Sequence, residues 1–209
     1  MPAFAGRSTA GNTDRTAYYD GEAGVYDQTR GGAARAAAAA EAVARLVPTR
    51  GRLLDVAGGT GIVSAELADR GWDVVVSDLS AGMLAVARRR LPGRVMVVCA
   101  DRLPVADGSV DAVTAIWLLH LLPVPVADAV VAEGARVLGP GGHLVTTVDK
   151  DLAHGRVRRT PSDAAERVAG VARRAGLQFV GQDSFSGSSV WGSPGAGDPE
   201  FPLAAYRKV

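Results

Sequence analysis

The sequence predicts an α/β protein: one seven-stranded mixed sheet with helices on both faces and the last strand antiparallel. Three observations carry this. From about residue 50 to residue 147, apolar runs alternate with helix-like stretches, the pattern of βαβ units around a parallel sheet buried on both faces. The run "LLDVAGGTGIV", residues 53–63, passes from a strand through a glycine cluster into a helix. The chain then closes on "LQFVGQDSF" and "FPLAAYRKV", two strand-like runs with no helix between them, which therefore pair antiparallel.

Each element has its own signal. Residues 1–14 are small and polar and read as a loose tail. "RGGAARAAAAAEAVARLVP" is alanine-rich, and alanine is the best helix former, so a helix is expected over about 33–46, ended by Pro48 and packed beside the sheet. "RLLDVAG" is the first strand and "GIVSAELADRG" a helix closed by Gly71. "WDVVVSD" follows as the second strand. Ser80 can cap the helix "AGMLAVARRR", whose last turn carries three arginines where the helix dipole favours cations. "RVMVVCAD" and "VDAVTAIWLLH" supply the third and fourth strands. "VADAVVAEGARVL" is a helix stopped by "GPGG", and "HLVTTVD" is the fifth strand. In "TPSDAAERVAGVARRAG", Thr160 as cap, Pro161 in the first turn and Asp163 three residues after the cap form a capping-box pattern. A Gly/Ser/Pro-rich loop joins the last two strands.

Bulk properties narrow the function classes. The length of 209 residues suits one domain with a proper core, and 47% hydrophobic with 22% charged residues is ordinary globular composition. A net charge of +1 gives no global field for nucleic acid or a membrane surface. Arginine greatly outnumbers lysine, which occurs only at 150 and 208 and reflects coding bias more than function. Cys99 is the single cysteine, so no intrachain disulfide forms; in its apolar run it reads as a buried, inert thiol in a reducing compartment. No signal peptide and no apolar stretch long enough to span a membrane is evident, and a cytoplasmic protein is expected.

The glycine cluster allows three ligands. A phosphate-binding loop needs Lys and Ser or Thr after its last glycine, but Gly61 is followed by Ile62 and Val63. A dinucleotide fingerprint is met by Gly59 and Gly61 but has Ser64 at its third position, although Asp78 at the end of the second strand suits a ribose. The third reading explains more. "LLDVAGGTGIV" resembles the first motif of the class I S-adenosylmethionine-dependent methyltransferases, D-x-G-x-G-x-G, with Ala57 replacing the first glycine, as members resembling the quinone-biosynthesis enzymes tolerate. "VVVSDLSAGML", "CADRLPVADGSVDAV" and "ARVLGPGGHLV" resemble that family's later motifs in order, and the two-strand ending is its signature. The resemblance covers about residues 18–209 and implies a single Rossmann-like domain.

It also implies the cofactor and its contacts. S-adenosylmethionine carries no phosphate, so the lack of a nearby lysine is consistent. Gly58, Gly59 and Gly61 would let the backbone lie against the methionine tail and ribose, Asp78 would accept from the ribose hydroxyls, and Asp55 would order the loop and the ligand amine. Met83 would pack on the adenine, and Asp101 would face its amino group with Arg102 beside it, although the loop "ADRLP" is about two residues shorter than the family pattern. Leu79 and Ala100 are further expected cofactor contacts. "AYYDGEAGVYDQTRGG" resembles the family's tyrosine-bearing lid, which would send Tyr26 and Arg30 to the methionine carboxylate, with Tyr18 and Tyr19 nearer the acceptor.

The expected reaction is in-line methyl transfer to an O, N or C nucleophile of a small natural-product or quinone-like molecule, by a monomer or homodimer with no metal. Positioning two bound reactants supplies about 7–11 kcal/mol in such reactions. Two alternatives stand beside it: use of S-adenosylmethionine for a non-methylating step such as cyclisation, and a nicotinamide-dependent oxidoreductase, against which "GPGG" and the antiparallel ending argue. His120 in "AIWLLHLLP" follows the fourth strand. It is either a structural hydrogen bonder or the general base, a role that an unperturbed pKa near 6.5 would suit. Trp117 would wall the acceptor pocket or belong to the core.

Overall fold

A computed structural model describes residues 10–157, 161–187 and 198–209. Seven strands form one sheet in the order β3-β2-β1-β4-β5-β7-β6. They are β1 Arg52–Val56, β2 Asp73–Asp78, β3 Val95–Val97, β4 Val110–Ala115, β5 Leu138–Thr147, β6 Leu177–Ser186 and β7 Glu200–Lys208. β1 through β5 pair in parallel, and β7 runs antiparallel to both β5 and β6. The expected fold class and the reversed last strand are therefore observed.

Side-chain alternation along β1 shows how the sheet is buried on both faces. Leu53 packs into one apolar cluster, with Val43, Leu67 and Leu84 from helices α3 Gly32–Leu46, α4 Ile62–Asp69 and α5 Ala81–Arg90. Leu54 and Val56 enter a second cluster, with Val130 and Val171 from α6 Val124–Val137 and α8 Ala165–Arg174. Full burial of each such aliphatic side chain contributes about 1.5–3 kcal/mol. The alanine run of α3 is one face of a packed helix: Ala36, Ala39, Ala40 and Ala42 are buried. Ser80 caps α5 as expected, its Oγ accepting from the Met83 amide at 3.0 Å.

Five local expectations are corrected. Residues 10–14 are not a loose tail: they begin helix α1 Ala10–Glu22, and the rest of the tail lies outside the described residues. β3 is a short edge strand ending at Val97, so Cys99 falls in the following turn and is exposed, not buried. The fourth strand stops at Ala115, and its apolar continuation makes a 3-10 turn, Leu119–Leu121. "GPGG" does not separate α6 from β5. The strand begins directly at Leu138, and the glycines form a bulge, with Val110 opposite Leu138 and Ala112 opposite His143. The last helix starts at Ala165, so the capping box is not used; Asp163 accepts the Lys150 amide at 2.8 Å instead. Thr160 and most of the loop joining β6 to β7 lie outside the described residues.

Candidate active site

The carboxyl ends of β1, β2 and β4 open onto a cleft of about 400 Å³. Strand order reverses here, with β2 on one side of β1 and β4 on the other, the place where open α/β sheets bind ligands. Tyr26, Asp55, Ala57, Gly58, Gly59, Asp78, Leu79, Met83, Ala100, Asp101 and Trp117 line the cleft together. Three other expected residues do not. Gly61 sits behind it as the left-handed residue before α4, φ 69°, where an added Cβ would come within 3.0 Å of Ala87. The lack of a side chain there lets α4 and α5 pack closely. Arg102 is exposed and off the cleft, and Arg30 lines a neighbouring cavity.

Two carboxylates of different character close the floor. Asp78 is held by two backbone amides: Gly59 donates to Oδ2 at 2.9 Å and Ser80 to Oδ1 at 2.8 Å. These bonds fix its orientation and lower its pKa, but burial outweighs them and raises it. Asp55 is buried, accepting from Thr114 Oγ1 at 2.7 Å on one oxygen and from the Ser64 hydroxyl on the other. Burial pushes its carboxyl up to about 6.

The raised pKa of Asp55 has a measurable consequence in the free protein. The folded state holds this proton more tightly than the unfolded chain, so the stability it contributes is present at low pH and is lost as pH rises through about 6. Asp55→Asn keeps both hydroxyl partners and removes the ionisation. Its thermal stability is expected to lack the decline between about pH 4 and 7, a difference of up to roughly 3 kcal/mol. Parallel pH–stability curves for the two proteins would overturn this account.

Strain gathers around the same cleft. Ala57 and Trp117 both have φ 57°, a conformation costing a non-glycine residue about 1–2 kcal/mol. The Trp117 amide donates to Thr147 Oγ1 at 2.8 Å, and its ring meets Phe185 and Phe201 edge-on at 5.2 and 5.7 Å. One part of Trp117 lines the cleft while another packs on the core.

Among the lining residues, Arg15 and Thr16 carried no sequence signal. Arg15, Thr16 and Tyr19 of α1 form a wall with Tyr26, at the start of the short helix α2 Tyr26–Thr29. That wall is anchored twice. Asp20 accepts from Ser80 Oγ at 2.5 Å and the Gly82 amide at 2.8 Å. Asp27 accepts from Thr60 Oγ1 at 2.5 Å and pairs with Arg90 Nη2 at 2.6 Å.

A second cavity, about 250 Å³, adjoins the cleft and shares Tyr19, Tyr26 and Trp117 with it; Tyr18, Arg30 and His120 line the second cavity alone. Burial, with Tyr26 and Tyr18 as neighbours, raises Tyr19 to about 12, so it is a neutral phenol. His120 departs from the expected base. Burial, then the cation of Lys150, lowers its pKa to about 3, and its Nε2 lies 2.7 Å from Lys150 Nζ. The imidazole is neutral throughout the ordinary range and presents its acceptor nitrogen to a lysine. Lys150 belongs to α7 Lys150–Ala153, and sequence reasoning gave it no place in the site.

Sheet order, glycine loop and a cleft at the switch point together define the class of fold: this is a Rossmann-like α/β domain. Residues 53–142 match the family model described as Methyltransferase domain. Part of the chain is similar to proteins named demethylmenaquinone methyltransferase. It is 50% identical over 95 residues to the demethylmenaquinone methyltransferase of Beutenbergia cavernae, a match covering 45% of this chain and 39% of that one. It is 49% identical over 98 residues to the demethylmenaquinone methyltransferase of Clavibacter sepedonicus, covering 45% and 39%. The matched length is therefore well under half of these relatives. A Pyrococcus horikoshii protein has the same fold, with a TM-score of 0.68 at 20% identity over 84% of this chain and 90% of that one.

Proposed function

We propose that the chain binds S-adenosylmethionine in the larger cleft and transfers its methyl group to a small molecule held in the smaller cavity. The carrying observation is the donor set of the cleft: two buried or half-buried carboxylates, Asp55 and Asp78, flank a glycine loop with no lysine among the lining residues. That set, with Arg15 as the one cation among the lining residues, suits a phosphate-free nucleoside with a diol and an ammonium group. Asp78 is assigned to the ribose hydroxyls and Asp55 to the amine. Leu79 and Met83 are assigned to the adenine face, Ala100 and Asp101 to its amino group, and Tyr26 to the methionine carboxylate.

The cavity beyond Tyr19 and Trp117 would present the acceptor to the methyl group for an in-line displacement, and holding both reactants is the main source of rate. His120 is assigned to positioning Lys150, because a nitrogen ionising near 3 is a weak base. We further infer a quinone-like or natural-product acceptor and a cytoplasmic monomer or homodimer, acting without nucleic acid. No helix among the described residues is long and apolar enough to cross a membrane.

The test is a thermal-shift comparison of S-adenosylhomocysteine with NAD, followed by transfer of labelled methyl from S-adenosylmethionine to a panel of metabolites. A rise in melting temperature with S-adenosylhomocysteine alone, and label in an acceptor, is the expected result. Stabilisation by NAD instead, or cofactor binding with no methyl transfer across the panel, would overturn the reading.

A further inference from the structure

The two cavities differ in charge. Asp55, Asp78 and Asp101 line the larger cleft against one cation, Arg15, whereas Arg30, Arg35 and Lys150 line the smaller cavity together with tyrosines and Trp117. One carboxylate, Asp27, lines that cavity, and it is committed to Arg90 and Thr60. We propose that the acceptor is a compact aromatic anion, its carboxylate or equivalent group held between Arg35 and Lys150 and its ring against the tyrosines and Trp117. This rests on the methyl-transfer reading above and deepens it by naming the substrate class.

Arg35 is the strongest support. It is 7% exposed, and its guanidinium lies over the Trp117 ring at 3.8 Å and the Phe201 ring at 4.7 Å. Nη1 donates to the Arg30 carbonyl at 3.0 Å, and buried Nε has no hydrogen-bond partner among the described residues. No carboxylate forms an ion pair with Arg35 or Lys150 among the described residues. Buried cations are ordinarily paired, because leaving water without a counter-charge is costly. Here the missing counter-charge has a cavity of its own, and the aromatic lining supplies flat surface beside it.

Lys150 agrees with this. Its ammonium touches the neutral imidazole of His120, and Asp163 spends one oxygen on the backbone amide of Lys150, not on Nζ. Burial and then the nearby Arg35 and Arg30 lower its pKa to about 8, against weaker opposing pulls from Asp151 and Asp163. An anion seated there would relieve that repulsion. The same cations would also hold an acceptor acid or phenol in its ionised, nucleophilic form, without a general base.

The methionine tail of the cofactor is a second source of carboxylate, so the test separates the two. The full chain, saturated with S-adenosylhomocysteine, is titrated calorimetrically with 4-hydroxybenzoate and phenylacetate, each beside its neutral amide. The acids are expected to bind at least tenfold more tightly than the amides. Lys150→Met should erase the preference while S-adenosylhomocysteine affinity stays within threefold of the parent. Arg35→Gln should do the same where it folds, and the lysine variant decides the matter where it does not. Equal or undetectable binding of the acids would overturn the proposal. So would a loss of tenfold or more in S-adenosylhomocysteine affinity in Lys150→Met with the preference for acids intact, which would give the cations to the methionine tail. If S-adenosylhomocysteine itself fails to bind, the methyl-transfer reading falls, and the same titrations without it still test the anion site.

Discussion

Replacing Asp78 with alanine is expected to weaken S-adenosylhomocysteine binding 10- to 150-fold, the equivalent of about 1.5–3 kcal/mol for bonds to a charged acceptor. The carboxylate ends β2 inside the cleft, and its two amide donors, Gly59 and Ser80, hold both oxygens in place. Each oxygen retains lone-pair capacity for a ribose hydroxyl. Asp78→Asn should fall between the parent and the alanine variant, because it keeps one acceptor oxygen and loses the charge. Calorimetry decides the matter once circular dichroism shows the variants folded. Unchanged affinity in a folded Asp78→Ala protein would remove this residue from the ligand site.

A larger loss is expected from Gly59→Val: more than 100-fold in cofactor affinity, beyond the reach of calorimetry at ordinary concentrations. At φ 58° a side chain on residue 59 is strained, at about 1–2 kcal/mol of stability. It meets little protein, however, since the nearest atom to an added Cβ is Met83 Sδ at 4.0 Å. The free protein therefore has room for the valine, and a bound ligand would compete for that room. Gly58 makes the opposite control. A Cβ there would fall 2.5 Å from Asp55 Oδ2 and 2.8 Å from Val76, so substituting it reports on packing, not on binding. Near-parental binding by a folded Gly59→Val protein would leave the glycine with a role in the turn alone.

What the sequence could disclose follows the range of the interactions involved. Apolar periodicity and glycine punctuation are local, so the strands, the alanine-rich helix and the Ser80 cap are readable from short windows. The edge position of β3 is not local. "RVMVVCAD" has the composition of an interior strand, and only the absence of a neighbour beyond β3 leaves Val97 half exposed and Cys99 in a turn. The larger cleft is largely legible because Asp78 ends one strand, Asp55 comes just before the last residue of another, and the glycines form a motif. Arg35 was missed although a signal existed: it is spaced four and seven residues before Ala39 and Ala42, on the buried stripe of α3. Its meeting with Lys150, 115 positions later in the sequence, depends on the closed tertiary structure and has no local trace. His120 was legible as a residue of the site but not in its ionisation, which burial and Lys150 set together.

The two anchors of the N-terminal helices bear on timing as well as shape. The chain segment that completes the cleft's wall is joined to the sheet side by Asp20 at the start of α5 and by Asp27 at its end, where Arg90 is 31% and Asp27 19% exposed at the side chain. Charge-assisted bonds that reach solvent weaken as ionic strength rises. The docking of this segment against the sheet side is therefore expected to loosen with added salt, read as faster hydrogen exchange in residues 15–30 at high ionic strength.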